Sequence, residues 1–417
     1  MSLKDQFVTL KTGFSRTFWI ANTLELFERM AFYGMKAILA FYLANKVGLV
    51  DDAGKLAGLF SGLIFLLPIL AGVVVDRYGF RKALMTCFSI FCIGYFLIGM
   101  AGMEWSQAIV ESIGKKTYVI SVLVLTAIGG SLIKPCIVGT VALTSNNDTR
   151  GLGFSIYYSL VNFGGAIGPM VALLVRKEFG IEFVLVMSSI TSFLLLIGTF
   201  IFFKEPETNR LASEQRTFGN VFTDMLLVFS NFKFILFLLI FSGWWVMFWQ
   251  IFFLLPFFAT DILHFEQFEI LETVDAWCII FFSVIMASVF KKWKPFTAMT
   301  VGFTLSSLSW FIIGASGTVI AVVVGVAMFA IGESTQAPRF YEYVSKLAPK
   351  DQVGTYMGFS FLPVAIGSFG AGPVADWLRL SYLHQNPQMM WFILAAIGIV
   401  TTILMILYNF FLVKKEA

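Results

Sequence analysis

Glu25, Glu28, Arg29 and Lys36 fall within one otherwise apolar run, Glu25-Leu-Phe-Glu28-Arg29-Met-Ala-Phe32-Tyr33-Gly34-Met-Lys36. On a helix, residues 3, 4, 7 and 11 apart return to nearly the same face, so the four charges and Phe32 share one stripe. Charges inside an apolar helix are costly and usually mark an ion or substrate path, which puts this stripe against a polar cavity between helices. A purely structural cluster of ion pairs is the other reading. Lys134 lies in a second apolar run, Gly129-Gly130-Ser131-Leu132-Ile133-Lys134-Pro135. Lys134 and Glu25 are each about nine residues from the inner ends of their helices, so at about 1.5 Å per residue they reach comparable depth. A lysine facing Glu25, Glu28 and Arg29 makes a network whose protonation depends on which partners are present, because burial and a neighbouring cation act on a carboxylate in opposite senses. If a conformational change separates the partners, the acid exchanges a proton in each cycle, and proton and solute bias the same two-state element.

The elements that carry these charges must be membrane helices. The chain has 417 residues, of which 58% are hydrophobic, 17% aromatic and only 13% charged, and its mean hydropathy is +0.85. A soluble chain of this composition would expose large apolar patches, so lipid is the simpler solvent. The formal net charge of +4 is too small and too scattered for nucleic-acid binding. The four cysteines, Cys87, Cys92, Cys136 and Cys278, lie in apolar runs without metal-ligand spacing and read as reduced packing residues. The N-terminal stretch is charged throughout and lacks a cleavage site after a short apolar core, so no removable signal peptide is expected.

Twelve runs long enough to span can be placed, near 16–46, 55–75, 80–102, 117–143, 152–175 and 181–203, then 233–261, 268–290, 295–315, 317–345, 353–380 and 389–413. Helices are required, since an open sheet would leave backbone groups unpaired in lipid. The longest polar link divides the chain into an N-terminal six-helix bundle (1–203), a cytoplasmic linker (204–232) and a C-terminal six-helix bundle (233–417). Within the linker, Phe218–Phe229 has the composition of a surface amphipathic helix. The basic residues Arg77, Arg81, Lys82, Lys291, Lys292, Lys294, Lys346, Lys350, Lys414 and Lys415 all fall on one side, which makes both termini cytoplasmic.

Six-plus-six topology with a cytoplasmic middle link resembles the major facilitator superfamily, in which the substrate site sits between the halves near mid-bilayer. The link after span two agrees: Gly72-Val-Val-Val-Asp76-Arg77-Tyr-Gly79-Phe-Arg81-Lys82 resembles that superfamily's signature of Gly, Asp-Arg, Gly and a basic pair. Asp76 can cap the following helix or pair with an arginine, and with Arg77 and Arg81 it would form a conformational gate. A positive-inside loop with a tight turn is the plainer alternative.

The span-one string resembles the ExxERFxYYG signature of the proton-dependent oligopeptide transporter family, with Met30 for the usual Phe and Phe32 for the first Tyr. Lys134-Pro135, then Phe154-Ser155-Ile156-Tyr157-Tyr158 through Asn162, Gly164, Gly165, Gly168 and Pro169, are similar to that family's spans four and five. Gly332-Glu333, Ala337-Pro338, Ser345-Lys346, Pro349 and Met357-Gly358 are similar to its spans ten and eleven. The resemblance implies a proton-coupled carrier with Glu25, Glu28, Arg29 and Lys134 in coupling. It implies that Lys36 meets a peptide carboxylate and Glu333 a peptide amino group, while Tyr33, Asn162, Trp249 and Phe361 shape the pocket; for each aromatic, plain packing is the alternative.

The chain departs from the family at Phe253, where a coupling glutamate is usual, and at Ala337, where a serine is. Asp275, where the family often has an asparagine, falls in the outer half of the bilayer with Lys36. It is the candidate acidic partner for that lysine and joins the substrate-binding set; a helix cap is its other reading. Arg339 and Glu342, at i,i+3 spacing, form either a second, cytoplasmic-side latch or a helix-end ion pair. Two extra helices common in bacterial relatives have no room here.

The expectation is therefore an all-α, multi-pass protein of the cell membrane, monomeric and without cofactor beyond coupling protons. It would import di- or tripeptides, or a related zwitterionic or anionic solute, by symport. The rival is a proton-driven exporter of drugs or metabolites, supported by Gly164-xxx-Gly168-Pro169, half of an antiporter-type element. With His264 and His384 as the only histidines and no nucleophile-base pair, an enzyme is not expected.

Overall fold

A computed structural model describes residues 13–146, 149–206, 218–290, 293–349 and 352–413. Lys291, Lys292, Lys350, Lys414 and Lys415, the N-terminal segment before residue 13 and linker residues 207–217 lie outside the described residues. All regular structure among the described residues is helical. The long elements are α1 (Arg16–Asn45), α2 (Ala53–Leu66 and Pro68–Tyr78), α3 (Phe80–Met100) and α4 (Lys115–Thr144). They continue with α5 (Arg150–Phe179), α6 (Glu182–Phe202), α7 (Phe232–Ile262) and α8 (Phe268–Val289). The last are α9 (Pro295–Ser316), α10 (Val319–Leu347), α11 (Tyr356–Tyr382) and α12 (Pro387–Val413). The linker stretch expected to be amphipathic forms the helix Phe218–Ser230.

Nine of the described helices are long and apolar enough to cross a membrane, and α2 makes ten if its two pieces, bent by 47°, count as one. The bend falls at Pro68, which has no N–H to give the preceding turn. Helix α1, interrupted by Glu25, Glu28, Arg29 and Lys36, and α8, with Glu269, Glu272 and Asp275, are outside that set. Gly79, at φ +88°, turns the chain between α2 and α3 in a conformation that a side chain would strain.

The helices fall into two compact units. One comprises Met1–Met35 and Leu67–Val221, the other Lys36–Leu66 and Phe222–Ala417, so α1 contributes to both. In the first, α3 packs chiefly on α6 and on α4. In the second, the main pairs are α9 with α10 and α12, α2 with α11, and α8 with α10. The core of the second unit is aromatic: Trp310 stacks on Trp391 at 5.2 Å, and the buried Trp244 donates its indole N–H to Ser306 Oγ at 2.9 Å. Large apolar side chains also cover the outside, for example Ile190, Leu194, Ile197 and Ile201 on successive turns of α6. Such a surface suits lipid.

Candidate functional site

The charged stripe of α1 is its buried face: Glu25, Glu28, Arg29, Phe32 and Lys36 are all at most 4% exposed. In the first unit, glycines set the approach of α1 to α5. A Cβ at Gly164 would lie 2.7 Å from Arg29 Cβ, and one at Gly168 would run into the Met30 carbonyl. The pair that could be read as half an antiporter element is thus the seat on which α1 rests.

On that seat the two acids differ. Glu28 is held by its neighbour: Arg29 Nε donates to Oε2 at 2.5 Å and Nη2 to Oε1 at 2.7 Å. Glu25 reaches outward to other helices. Its Oε1 lies 3.3 Å from Lys134 Nζ of α4, accepts from the Tyr157 hydroxyl of α5 at 3.3 Å, and is 3.6 Å from Arg29 Nε. Lys134 also donates to the Tyr157 oxygen at 2.8 Å. The Arg29 guanidinium sits over the Phe32 ring at 4.6 Å. Glu25, Glu28, Arg29 and Lys134 are therefore together, and Tyr157 joins them. Tyr33 lies over Gly165 of α5. Asn162 turns its amide nitrogen to the Tyr158 carbonyl of its own helix.

A second group of charges belongs to the other unit. Lys36 Nζ is enclosed by rings of α7: Phe252 at 3.7 Å, Trp249 at 4.2 Å and Phe248 at 5.2 Å from their centroids. A desolvated ammonium gains about 2 kcal/mol or more from such faces. Asp275 and Glu333 lie within electrostatic reach of Lys36 and of each other. Asp275 Oδ1 and Glu333 Oε2 are buried without a hydrogen-bond partner, which costs free energy unless a cation or a ligand donor meets them. Trp249 is fully buried, stacks on Phe253 at 5.5 Å and donates to the Val364 carbonyl at 3.3 Å. Phe361, half-buried, is one turn before Val364.

Of the gate residues, Asp76 and Arg77 are exposed and Arg81 donates to the Phe200 carbonyl at 2.5 Å. The carboxylate that caps α3 is Glu205, which accepts from the N–H groups of Phe80 and Arg81 at 2.7 and 2.9 Å. Arg339 pairs with Glu342 at 2.6 Å and also reaches the Phe290 carbonyl at the end of α8.

Within the second unit, α2 and α11 share a close seam. Gly54, Gly58 and Gly62 lie one turn apart; a Cβ at Gly58 would lie 2.7 Å from the Ser368 carbonyl oxygen, and one at Gly62 would enter the Phe369 ring. The buried Asp376 accepts from Gly54 N at 2.8 Å and Lys55 N at 2.9 Å, capping α2 from another helix. Arg379 donates to the Val50 carbonyl and lies over the Phe257 ring.

A family model described as Major Facilitator Superfamily matches residues 19–372. The chain is 23% identical over 348 residues to "Multidrug resistance protein MdtH" of Photorhabdus laumondii, covering 80% of each chain. It is 26% identical over 193 residues to "Dipeptide and tripeptide permease A" of Cronobacter turicensis, covering 46% of this chain and 36% of that one. Against the permeases, then, the chain spans about a third of their length. In structure it is similar to a POT family transporter in complex with a thioalcohol-conjugated peptide, with a TM-score of 0.78 at 17% identity and coverage of 94% and 96%. A POT family transporter in complex with 5-aminolevulinic acid gives 0.77, 17%, 94% and 96%. These structural likenesses establish a shared fold.

Proposed function

Because the chain belongs to the major facilitator superfamily, we propose that it is a proton-coupled symporter that imports di- or tripeptides or a related small zwitterionic or anionic solute. It is a multi-pass membrane transporter and not an enzyme. In this reading α1 and α8 also span, giving twelve helices with both termini cytoplasmic. The bundles 1–203 and 233–417, joined by 204–232, then alternate access around the substrate. The carrier works as a monomer with protons as its coupling ion.

The observation that carries the coupling is the contact of Glu25 with Lys134 across α1 and α4, at 3.3 Å. A carboxylate whose cation sits on another helix changes its proton affinity when those two helices, both of the N-terminal bundle, shift against each other, so that shift and protonation are linked. The substrate class is supported by the second group: one cation, Lys36, against two acids, Asp275 and Glu333, complements a molecule bearing both charges. The Asp376 cap and the glycine seam support reading the start of α2 and the end of α11 as the closed outer side of the carrier.

The test is uptake of labelled dialanine into proteoliposomes with and without an inward proton gradient. Accumulation that follows the gradient is expected; uptake indifferent to it removes the coupling mechanism. A second reading, proton-driven export of drugs, is favoured by the match to the multidrug protein over four-fifths of both chains. Under that reading dialanine is not transported, and a proton gradient of opposite sense drives a lipophilic cation instead.

A further inference from the structure

We infer that Asp275, beside Glu333, makes this carrier select peptides of net positive charge, with the Asp275 carboxylate holding the ammonium of a basic side chain. This rests on the peptide-import reading above and narrows it.

The charges gathered in the second unit do not balance. Lys36 is one cation within electrostatic reach of two acids, Asp275 and Glu333, so the three together carry a formal excess of one negative charge. Around the Lys36 ammonium stand the faces of Phe252, Trp249 and Phe248 from α7. A ring face stabilises an ammonium through its quadrupole and carries no net charge, so these rings hold the cation without cancelling either acid. Phe253, stacked on Trp249, likewise adds no charge. The acids come from α8 and α10, which pack on each other. Helix α8 offers nothing to neutralise them, since its only ionisable acids and bases are Glu269, Glu272 and Asp275 apart from the thiol of Cys278. Glu269 and Glu272 are buried like Asp275, at 0% and 3% exposed.

Two atoms mark where donors are wanting. Asp275 is 7% exposed and its Oδ1 is sealed from solvent with no hydrogen-bond partner among the described residues; Glu333 Oε2 is in the same condition. A buried carboxylate oxygen without a donor is costly, and a charged N–H is the donor that offsets most of that cost. A peptide with an uncharged side chain brings one ammonium and one carboxylate, which leaves the negative excess as it was. A peptide with a lysyl side chain brings a second ammonium, supplying one donor for each open oxygen and closing the balance. Glu333 is the acid expected to meet the peptide amino group, so the second ammonium falls to Asp275. A peptide with an acidic side chain adds to the excess and is disfavoured.

Binding to the purified protein tests this, read from the rise of the thermal midpoint with ligand concentration. The probes are Ala-Lys, the same peptide acetylated on the lysine side chain, Ala-Ala and Ala-Glu. Acetylation keeps the length of the side chain and removes its charge. Ala-Lys is expected to bind about tenfold or more tighter than its acetylated form, the effect of one charge-assisted hydrogen bond, and Ala-Glu to bind least. In Asp275→Asn, which keeps the shape and drops the charge, the ratio of Ala-Lys to acetylated peptide falls to about one. A wild type that binds both equally overturns the selection while leaving peptide import standing, and that comparison needs no variant to fold. A full preference retained in Asp275→Asn overturns the assignment to Asp275. A wild type that binds none of the four peptides overturns the peptide reading, and this inference with it.

Discussion

Glu28 receives two hydrogen bonds from Arg29, the next residue in the chain, so a bidentate charge pair closes within a single turn of α1. Both side chains are at most 3% exposed, which makes the consequence of losing one partner severe. Glu28→Ala is expected to cost about 3–5 kcal/mol, the penalty for stranding a buried cation. Glu25→Ala should cost less, about 1–3 kcal/mol, because its lysine is partly hydrated and retains the Tyr157 hydroxyl. Chemical denaturation in detergent compares the two. Equal losses would mean that the acids are not differently held.

The cap on α2 has a conformational consequence. Ser368, fully buried, donates to the Gly58 carbonyl at 3.1 Å within the seam that Asp376 closes. In a background lacking the four native cysteines, Ser368→Cys should react slowly with a membrane-impermeant thiol reagent. Adding Asp376→Ala removes both acceptors of the α2 N–H groups, worth about 1.5–3 kcal/mol each. Labelling should then accelerate by about tenfold or more. An unchanged rate would show that the cap does not hold the seam.

Lys36 and Asp275 test the substitution of one acid for another. Lys36→Asp and Asp275→Lys should each abolish uptake, since each places like charges within electrostatic reach. The double variant should recover a measurable fraction. A double variant as inactive as either single one would dissolve the pairing.

At the opposite end of α10, Arg339 and Lys346 both hold Glu342 at 2.6 Å, but only Arg339 also ties down a carbonyl of another helix. Arg339→Ala is expected to cost about 1.5–3 kcal/mol. Lys346→Ala, a largely exposed pair, should cost about 0–1 kcal/mol. Thermal unfolding of the two variants side by side settles the order.

The stripe on α1 was legible because helical spacing alone gathers Glu25, Glu28, Arg29 and Lys36 on one face. The meeting of Lys134 with Glu25 was legible from depth, since both lie at similar counts from their helix ends. Tyr157 left a fainter trace. It stands two turns before Gly164 and three before Gly168, so the face of α5 that is bare enough to seat α1 also carries its hydroxyl. Glu205 and Asp376 left none, because each caps a helix from far along the chain and such contacts imprint no local period. Asp76 was the local candidate for the cap that Glu205 supplies. Trp249, read as a pocket wall, is also a packed residue bonded to Val364; an aromatic in an aromatic-rich span carries no sign of which role it plays.

Gly164 and Gly168 leave no atoms between α1 and α5, so main chain lies against main chain. The close approach keeps the Glu25 carboxylate of one rod 3.3 Å from the Tyr157 phenol of the other, so a bulkier residue at either glycine would wedge the rods apart and part that pair as well.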